Sequence, residues 1–254
     1  MPYSIVIPAR FAATRLPGKP LREIAGKPLL QYVHECARRT QARQIIIATD
    51  DDRIRQAATA FGADVCMTSD QHQSGTQRIN EVIQIRDIPD DEIIVNLQGD
   101  EPLMPAACIV QVAELLASNP DAQMSTLATP VEHDDEVFDS HIVKVALNKR
   151  GQALYFSRAS IPWQRGSYEE HRVDHTGEWS CLRHIGIYGY RAAYIKEYVS
   201  LQPSPLEVLE SLEQLRVLWH GGTIVVGQAV EIPGPGVDTE QDFAKVGQIL
   251  RQAR

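Results

Sequence analysis

The chain of 254 residues has 33 acidic and 25 basic side chains and a formal net charge of −8. An acidic chain is not typical of a general nucleic-acid-binding protein. The sequence contains no run of about 18 apolar residues, so no transmembrane helix is predicted. The amino terminus lacks the basic segment of a signal peptide, so we expect a cytoplasmic protein without membrane insertion. Residues 1–50 nevertheless hold eight basic and three acidic side chains. This uneven charge predicts a site for an anionic ligand.

Strands and helices alternate along the first half of the chain. Short apolar runs predict buried strands, and apolar residues at helical spacing predict helices. In chain order the predictions are strand 4–8, helix 28–39, strand 45–49, helix 52–61, strand 64–67, helix 76–85, strand 93–97, helix 105–117 and strand 124–130. This rhythm is typical of an α/β fold with a mostly parallel sheet and helices on both faces. Ligands of such sheets bind beyond the carboxyl ends of the strands.

The pattern changes between about residue 131 and residue 190, where polar and aromatic residues are more frequent. Antiparallel strands are predicted at 143–147, 153–156 and 185–190, around a loop at 163–179. We interpret 131–190 as a subdomain inserted into a single domain that spans 1–254. Helices are predicted at 191–200 and 205–219, followed by a strand at 223–226. A final helix runs to about 252, with Asp238 or Thr239 as its N-cap.

The four cysteines, at positions 36, 66, 108 and 181, are widely spaced. This spacing excludes a compact zinc ribbon and fits a reduced compartment. Three of the four lie among apolar residues and are expected to be buried as small hydrophobic side chains. Cys181 lies close to His184 in sequence, but a nucleophilic cysteine is the less favoured interpretation.

The first candidate site follows the first strand, where residues 8–21 read PARFAATRLPGKPL. Arg10, Arg15 and Lys19 lie here near the carboxyl end of a buried strand, and Gly18 lets the backbone approach an anion. Neither the Walker P-loop nor the Gly-x-Gly-x-x-Gly fingerprint is present. The cations and the small residues are still the ingredients of a phosphate site. The alternative is a solvated basic loop.

Two aspartates form the second candidate site. Asp100 follows the apolar strand 93–97 in the run NLQGDEPL, and Asp238 lies in the run PGVDT. A carboxylate just beyond a strand suits a hard divalent cation that is held together with substrate phosphates. The alternatives are a turn or an N-cap for Asp100 and a plain N-cap for Asp238.

An acidic triplet, Asp50-Asp51-Asp52, resembles the Asp-x-Asp metal motif of glycosyltransferases. It lies directly before a predicted helix, where capping is a sufficient role. We therefore favour capping, or positioning beside a ribose, over metal binding.

Further polar motifs could recognise a base or a sugar. The run SDQHQSGTQR at 69–78, the strand RHIGIYGY at 183–190 and the acidic stretch ESLEQLR at 210–216 present side chains of this kind. Their structural alternatives are an ordinary capped loop, a structural histidine and a solvated helix face, respectively.

Together these segments resemble the 3-deoxy-manno-octulosonate cytidylyltransferases, or CMP-Kdo synthetases. The resemblance covers nearly the whole chain. It rests on PARFAATRLPGKPL, GKPLLQYV, IIIATDDDRI, MTSDQHQSGTQRINEV, VNLQGDEPL, YFSRASIPW, HIGIYGYR, PLEVLESLEQLRVL and PGPGVDTEQD. One departure is Gln77, which stands where the family usually has an acid in SGTDR.

The resemblance implies a Mg2+-dependent nucleotidyltransferase that converts CTP and Kdo into CMP-Kdo and diphosphate for lipopolysaccharide synthesis. It implies a Rossmann-like, GT-A-like sheet, and an inserted subdomain at 131–190 that binds sugar and pairs with a second subunit in a homodimer. Activation of a related acidic sugar, 8-amino-Kdo or sialic acid, stays open. Two other classes also stay open: a glycosyltransferase that relies on Asp50–Asp52, and a non-catalytic nucleotide-binding regulator, which would lack the paired aspartates.

The resemblance also implies roles for individual residues. The catalytic residues would be Arg10, Lys19, Asp100 and Asp238, of which Asp100 and Asp238 would hold Mg2+. Nucleotide contacts would come from Pro8, Ala9, Arg10, Arg15, Lys19, Ser74, Gly75, Arg78 and Gln98. Sugar contacts would come from Arg78, Gln98, His184, Tyr188, Glu213 and Gln214. The carboxylate of the sugar is expected to face Arg78 or His184.

Overall fold

The computed structural model describes residues 2–12, 16–170, 172–173 and 181–252. Its strands are β1 (Tyr3–Pro8), β2 (Glu23–Ile24), β3 (Lys27–Pro28), β4 (Gln44–Thr49), β5 (Asp64–Met67), β6 (Ile93–Asn96), β7 (Met124–Pro130), β8 (Lys144–Leu147), β9 (Ala153–Ser157), β10 (Leu182–Arg191) and β11 (Ile224–Gln228). Its α-helices are α1 (Leu29–Arg38), α2 (Asp52–Ala60), α3 (Gly75–Ile85), α4 (Ala106–Ala117), α5 (Asp134–Phe138), α6 (Ala192–Tyr198), α7 (Pro205–Glu210), α8 (Gln214–Trp219) and α9 (Glu240–Gln252). The expected α/β fold class is confirmed.

The main sheet has the strand order β11-β7-β10-β6-β1-β4-β5. The strands β6, β1, β4 and β5 are mutually parallel, and β7 is parallel to β11. Only β10 runs against its neighbours on this path, between β6 and β7. The first residues of β10 also pair with β8, which in turn pairs with β9, so an antiparallel arm extends from the sheet. The inserted subdomain at 131–190 stays a prediction, as does its predicted role.

Strand β1 shows why these residues form a sheet covered on both faces. Successive side chains of a strand point to opposite faces. Ile5 and Ile7 pack into a core cluster with residues of α1 and α4, such as Leu30 and Val112. Val6 points to the other face and packs into a second cluster with residues of α3. Both faces of the strand are therefore buried, as its wholly apolar sequence predicts.

One predicted helix, 205–219, is wrong, because the structure divides it into α7 and α8. Ser204 and Glu207 form a capping box that starts α7. Ser211 ends it in the left-handed region, with φ 53°. The apolar spacing continues across this break, so the sequence pattern does not reveal it. The break turns the chain so that Glu213 and Gln214 face the site described below.

All four cysteines are buried and unpaired, and burial raises the pKa of the Cys181 thiol, which does not favour a nucleophile. In the described part of the chain, no helix is both long and apolar enough to cross a membrane. The predicted loop at 163–179 lies in part outside the described residues.

Candidate active site

A cleft of about 430 Å3 opens at the carboxyl ends of β1 and β6, as expected for a parallel sheet. Eleven of the residues singled out in the sequence line it: Pro8, Ala9, Arg10, Lys19, Ser74, Gly75, Arg78, Gln98, Asp100, Glu213 and Asp238. The lining that sequence reasoning missed consists of Leu16, Pro20, His72, Gln73 and Gly99. Arg15 lies outside the described residues.

A recess of about 210 Å3 adjoins the cleft and shares Gly75, Gln98 and Glu213 with it. Tyr188 and Gln214, both expected to contact sugar, line this recess. His184 lines neither space, but its ring packs against Tyr188 with 5.5 Å between the ring centroids. The structure thus groups the predicted nucleotide residues in the cleft and most predicted sugar residues in the recess.

The ends of β1 and β6 approach each other closely at Gly99. A Cβ at this position would lie 2.9 Å from the main-chain oxygen of Pro8. Only glycine allows this approach without a backbone shift. The close approach brings Arg10, just after β1, and Asp100, just after β6, to one cleft.

The basic loop is closed by Phe11 and Gly18. The Gly18 amide, at φ 67°, donates to the Phe11 carbonyl at 3.2 Å. The guanidinium of Arg53 lies 3.4 Å from the centroid of the Phe11 ring, a cation–π contact. Asp51 holds Arg53 through two side-chain hydrogen bonds of 3.0 and 2.6 Å. The start of α2 therefore anchors the loop that carries the predicted phosphate contacts.

Two aspartates of the acidic triplet have different roles. Asp51 is the N-cap of α2, since its side chain accepts from the Arg53 amide, which confirms the capping interpretation. Asp50 instead forms an ion pair with Arg78, with 2.8 Å between Oδ2 and Nη2. Arg78 also donates to Thr68 Oγ1 and is 3 % exposed. The charge of Arg78 is thus fixed at the cleft wall by Asp50.

The Ser-Gly-Thr turn before α3 is held by reciprocal hydrogen bonds. Ser74 caps α3 by accepting from the Gln77 amide, and the Gln77 side-chain oxygen accepts from the Gln73 amide at 2.9 Å. Gln77 therefore supports the turn through its own side-chain amide, at the position where the family usually has an acid.

Asp100 and Asp238 face one cation. The Lys19 ammonium donates to Asp100 Oδ2 at 2.7 Å, to Asp238 Oδ1 at 3.2 Å and to the Val237 carbonyl at 2.8 Å. Such hard oxygen donors fit Mg2+, which proteins commonly hold by one or two carboxylates together with substrate phosphates. The described residues contain no cluster of three or more His, Cys, Asp or Glu able to hold a metal. A metal here would draw its other ligands from substrate and water.

The capping alternative for Asp238 is not what the structure shows. Thr239 accepts from the Asp242 amide, and Asp242 accepts in turn from the Thr239 amide at 2.8 Å. This reciprocal pair caps α9. The carboxylate of Asp238 points to Lys19.

Glu101 is a third acid at this position that sequence reasoning missed. Its carboxylate packs so close to Gly236 that a Cβ there would lie 2.8 Å from Oε1. Burial, reinforced by the carboxylates of Asp100 and Asp238, raises the pKa of Glu101 to about 8. Its position directly after Asp100 in the sequence was the available signal.

The recess is lined by both hydrogen-bond donors and hydrogen-bond acceptors. Thr76 donates to Glu213 Oε2 at 3.1 Å, and Tyr188 donates to Gln214 Oε1 at 3.4 Å. The Nε2 atom of Gln214 is buried and finds no hydrogen-bond acceptor among the described residues. A buried donor without an acceptor is costly, so this atom is poised for a ligand oxygen.

The turn that carries Glu213 and Gln214 is fixed from behind by Glu210. The Glu210 carboxylate accepts from Ser157 Oγ at 2.7 Å and from the Arg158 amide at 2.9 Å. Arg158 Nε donates back to the Glu210 carbonyl at 2.7 Å. The end of α7 is therefore locked to the end of β9.

His184 is neutral, because burial lowers its pKa to about 3. Its Nε2 lies 2.9 Å from Thr126 Oγ1, and that hydroxyl lies 2.7 Å from the Ile187 carbonyl. The single hydroxyl proton satisfies the carbonyl, so His184 donates from Nε2 and keeps Nδ1 as an acceptor. Without a ligand, His184 therefore carries no positive charge.

Comparisons with known proteins find cytidylyltransferases that are similar to the chain over most of its length. The cytidylyltransferase family model matches residues 4–225. A 3-deoxy-manno-octulosonate cytidylyltransferase of Photobacterium profundum is 51% identical over 98% of this chain and 100% of its own length. One from Vibrio cholerae serotype O1 (strain M66-2) is 53% identical over 99% of both chains.

Solved structures are similar as well. A CMP:2-keto-3-deoxy-manno-octonic acid synthetase complexed with CTP has a TM-score of 0.90 and 38% identity over all of both chains. A 4-diphosphocytidyl-2C-methyl-D-erythritol synthase shares the fold, with a TM-score of 0.61 and 15% identity over 98% of both chains.

Proposed function

The chain belongs to the cytidylyltransferase family, and from this premise we propose that it transfers the cytidylyl group of CTP to 3-deoxy-manno-octulosonate, releasing diphosphate. The observation that carries the proposal is the meeting, in one cleft, of the basic residues after β1 with the Asp100–Asp238 pair. A cationic wall and a paired-carboxylate site are what a nucleoside triphosphate and its metal require.

The anomeric hydroxyl of the sugar attacks the α-phosphorus of CTP in line. A new oxygen–phosphorus bond forms as the bond to the β-phosphate oxygen breaks, and diphosphate leaves. Positioning and charge stabilisation supply most of the catalysis in such transfers. Arg10, Arg15 and Lys19 hold the triphosphate and stabilise the charge that develops on the leaving group.

Asp100 and Asp238 would hold Mg2+. When bound, Mg2+ neutralises charge on the phosphate and lowers the pKa of the attacking hydroxyl. The two carboxylates line the cleft, and the Glu101 carboxylate packs against Gly236.

Pro8, Ala9, Ser74, Gly75 and Gln98 form the walls around the nucleoside, and Arg78 holds a fixed positive charge beside them. A base needs such close, polar walls to be distinguished from other bases.

The recess binds the sugar. Gln214 Nε2 donates to a sugar oxygen, Glu213 accepts from hydroxyls, and Tyr188 forms a wall with the His184 ring packed against it. With His184 neutral, Arg78 is the remaining one of the two residues that we expected to face the sugar carboxylate.

The remaining expectations belong to the same proposal: a homodimer formed through the 131–190 subdomain, in the cytoplasm, with a role in lipopolysaccharide synthesis and without nucleic acid. Leu154 on β9, within the arm, and Leu209 on α7, whose end bonds to the end of β9, support the dimer, since they are 61 % and 81 % exposed. The net charge of −8 argues against nucleic acid.

Diphosphate release tests the proposal. CTP, ATP, GTP and UTP are each supplied with Mg2+ and with Kdo, 8-amino-Kdo or sialic acid as acceptor. We expect release with CTP and Kdo at a kcat/KM well above that of every other combination. Preference for 8-amino-Kdo or sialic acid would show that the proposed sugar substrate is wrong. Preference for another nucleotide would show that the proposed nucleotide substrate is wrong. Absence of release with every pair would overturn the enzyme assignment.

A further inference from the structure

The ammonium of Lys19 lies at the position proposed for the metal. Its three hydrogen bonds go to Asp100 Oδ2, Asp238 Oδ1 and the Val237 carbonyl, at 2.7, 3.2 and 2.8 Å. A lysine ammonium has three donors and no acceptor, so every donor is used. The side chain is 13% exposed, so this is an inward-directed lysine.

A metal and the Lys19 ammonium would compete for the same two carboxylates. A hard divalent cation needs carboxylate oxygens at about 2.0–2.1 Å, whereas Asp100 Oδ2 is already 2.7 Å from the ammonium. A metal that binds Asp100 and Asp238 would also lie a few ångströms from a positive charge. Where it lies in this structure, Lys19 therefore opposes metal binding at the two carboxylates.

A triphosphate offers Lys19 another set of oxygens. Lys19 follows Gly18 at the cleft wall and shares that wall with Arg10. Its flexible four-carbon stem lets the ammonium swing while the backbone stays in place. The phosphate oxygens are thus the natural alternative partners for the charge.

We propose that Lys19 is the resident cation of the substrate-free metal site and that the nucleotide draws it away. This inference rests on the proposed function, because it takes Asp100 and Asp238 as metal ligands. Bound nucleotide opens the site for the metal, and bound metal keeps Lys19 free for the nucleotide. By linkage, the two ligands raise each other's affinity by the same factor.

The proposal predicts opposite effects of one substitution. Lys19→Met removes the competing cation, so a metal binds more tightly without nucleotide. It also removes a phosphate contact, so CTP binds more weakly without metal. A lysine that merely held the Asp238 segment in place would, when removed, weaken both.

The probe is Mn2+ without nucleotide, with the free ion counted by its electron paramagnetic resonance signal. We expect Lys19→Met to bind Mn2+ at least tenfold more tightly than the unsubstituted protein. Lys19→Arg keeps a cation, so it should bind Mn2+ as weakly as the unsubstituted protein. The matched control is Lys27→Met, which removes a lysine paired with Glu35 outside the cleft and should leave Mn2+ and CTP affinity unchanged. Circular dichroism checks that each variant is folded.

Two results would overturn the inference, and they differ in what they leave standing. Equal Mn2+ affinity of Lys19→Met and the parent, with Asp100→Asn still lowering Mn2+ binding to the CTP complex, would remove Lys19 as resident cation but keep the metal site. Tight Mn2+ binding that persists in the double variant Lys19→Met, Asp100→Asn would place the ion elsewhere and remove the proposed metal site as well.

Discussion

The main-chain oxygen of Pro8 lies 2.9 Å from the position that a Cβ on Gly99 would occupy. Two segments 91 positions apart in the sequence thus meet with no room for one methyl group. The residues that follow each of them, Arg10 and Asp100, take their places in the cleft from this contact.

Gly99→Ala should therefore impair catalysis more than stability. The backbone must shift to relieve the contact, which typically costs about 1–3 kcal/mol, and the shift separates the cations from the carboxylates. We expect kcat/KM for CTP to fall by about tenfold or more, since small misplacements are costly in positioned reactions. The control is Gly186→Ala, because an added Cβ there meets nothing within 4 Å. Equal kinetics of the two variants would contradict the prediction.

Asp100→Asn and Asp238→Asn should each abolish most of the activity while the protein stays folded. Each change removes a carboxylate from the proposed metal site, and we expect kcat/KM to fall by about 10³-fold. Glu240→Gln, which disrupts only an exposed pair with Arg22, is the nearby control and should be close to normal. Near-normal turnover of either Asn variant at saturating Mg2+ would disprove the metal assignment.

Arg53→Gln should weaken CTP binding although Arg53 lies outside the cleft. The contact with Phe11 anchors the basic loop, and a cation–π contact at an exposed arginine is weak. We expect KM for CTP to rise about two- to fivefold, with kcat and the KM for sugar unchanged. Arg55→Gln removes an arginine of the same helix that pairs with Asp52, and it should have no effect. A rise in the KM for sugar alone would refute the anchoring role.

Glu210→Ala should affect the sugar and not the nucleotide. Without its hydrogen bonds to Ser157 and the Arg158 amide, the turn that carries Glu213 and Gln214 loses its support. Charged hydrogen bonds contribute about 1.5–3 kcal/mol, so we expect KM for Kdo to rise about tenfold at unchanged KM for CTP. Partial recovery in Glu210→Gln, which keeps one acceptor oxygen, would identify the lost bonds as the cause. An equal change in both KM values would argue against a specific effect on sugar binding. The control is Glu197→Ala, which changes an exposed glutamate.

His184 should leave a signature in the pH dependence of stability. Its pKa is about 3 in the folded chain and about 6.5 when unfolded. Between these values the unfolded state binds the extra proton, so the stability due to this group is complete above about pH 6.5 and declines as the pH falls toward 3.

The variant His184→Gln should flatten that decline. The slope of the unfolding free energy against pH, measured by urea unfolding between pH 6.5 and 4, should decrease by up to about 1.4 kcal/mol per pH unit. His141→Gln changes an exposed histidine and should leave the slope as it is. An unchanged slope in His184→Gln would show that His184 titrates normally in the folded state.

The sequence predicts the sheet well because its strands are buried on both faces and therefore wholly apolar. It predicts the cleft because parallel strands end at one edge. It does not reveal the break at Ser211, since the apolar spacing of α7 continues into α8. Nor does it reveal that Lys19 lies between two aspartates more than 80 positions away, or that burial keeps His184 neutral. These features depend on distances between remote segments, which a pattern along the chain does not contain.

Strand β10 belongs to two pairings at once: Leu182 and Arg183 face β8, whereas Tyr188 to Arg191 face β6. Its register against β7 shifts between Ile185 and Tyr188. A single inserted or deleted residue in that interval would turn His184 to the other face of the sheet, while Tyr188 kept its place against β6. A change in the length of β10 therefore reorients several side chains at once, whereas a substitution on β10 alters only one.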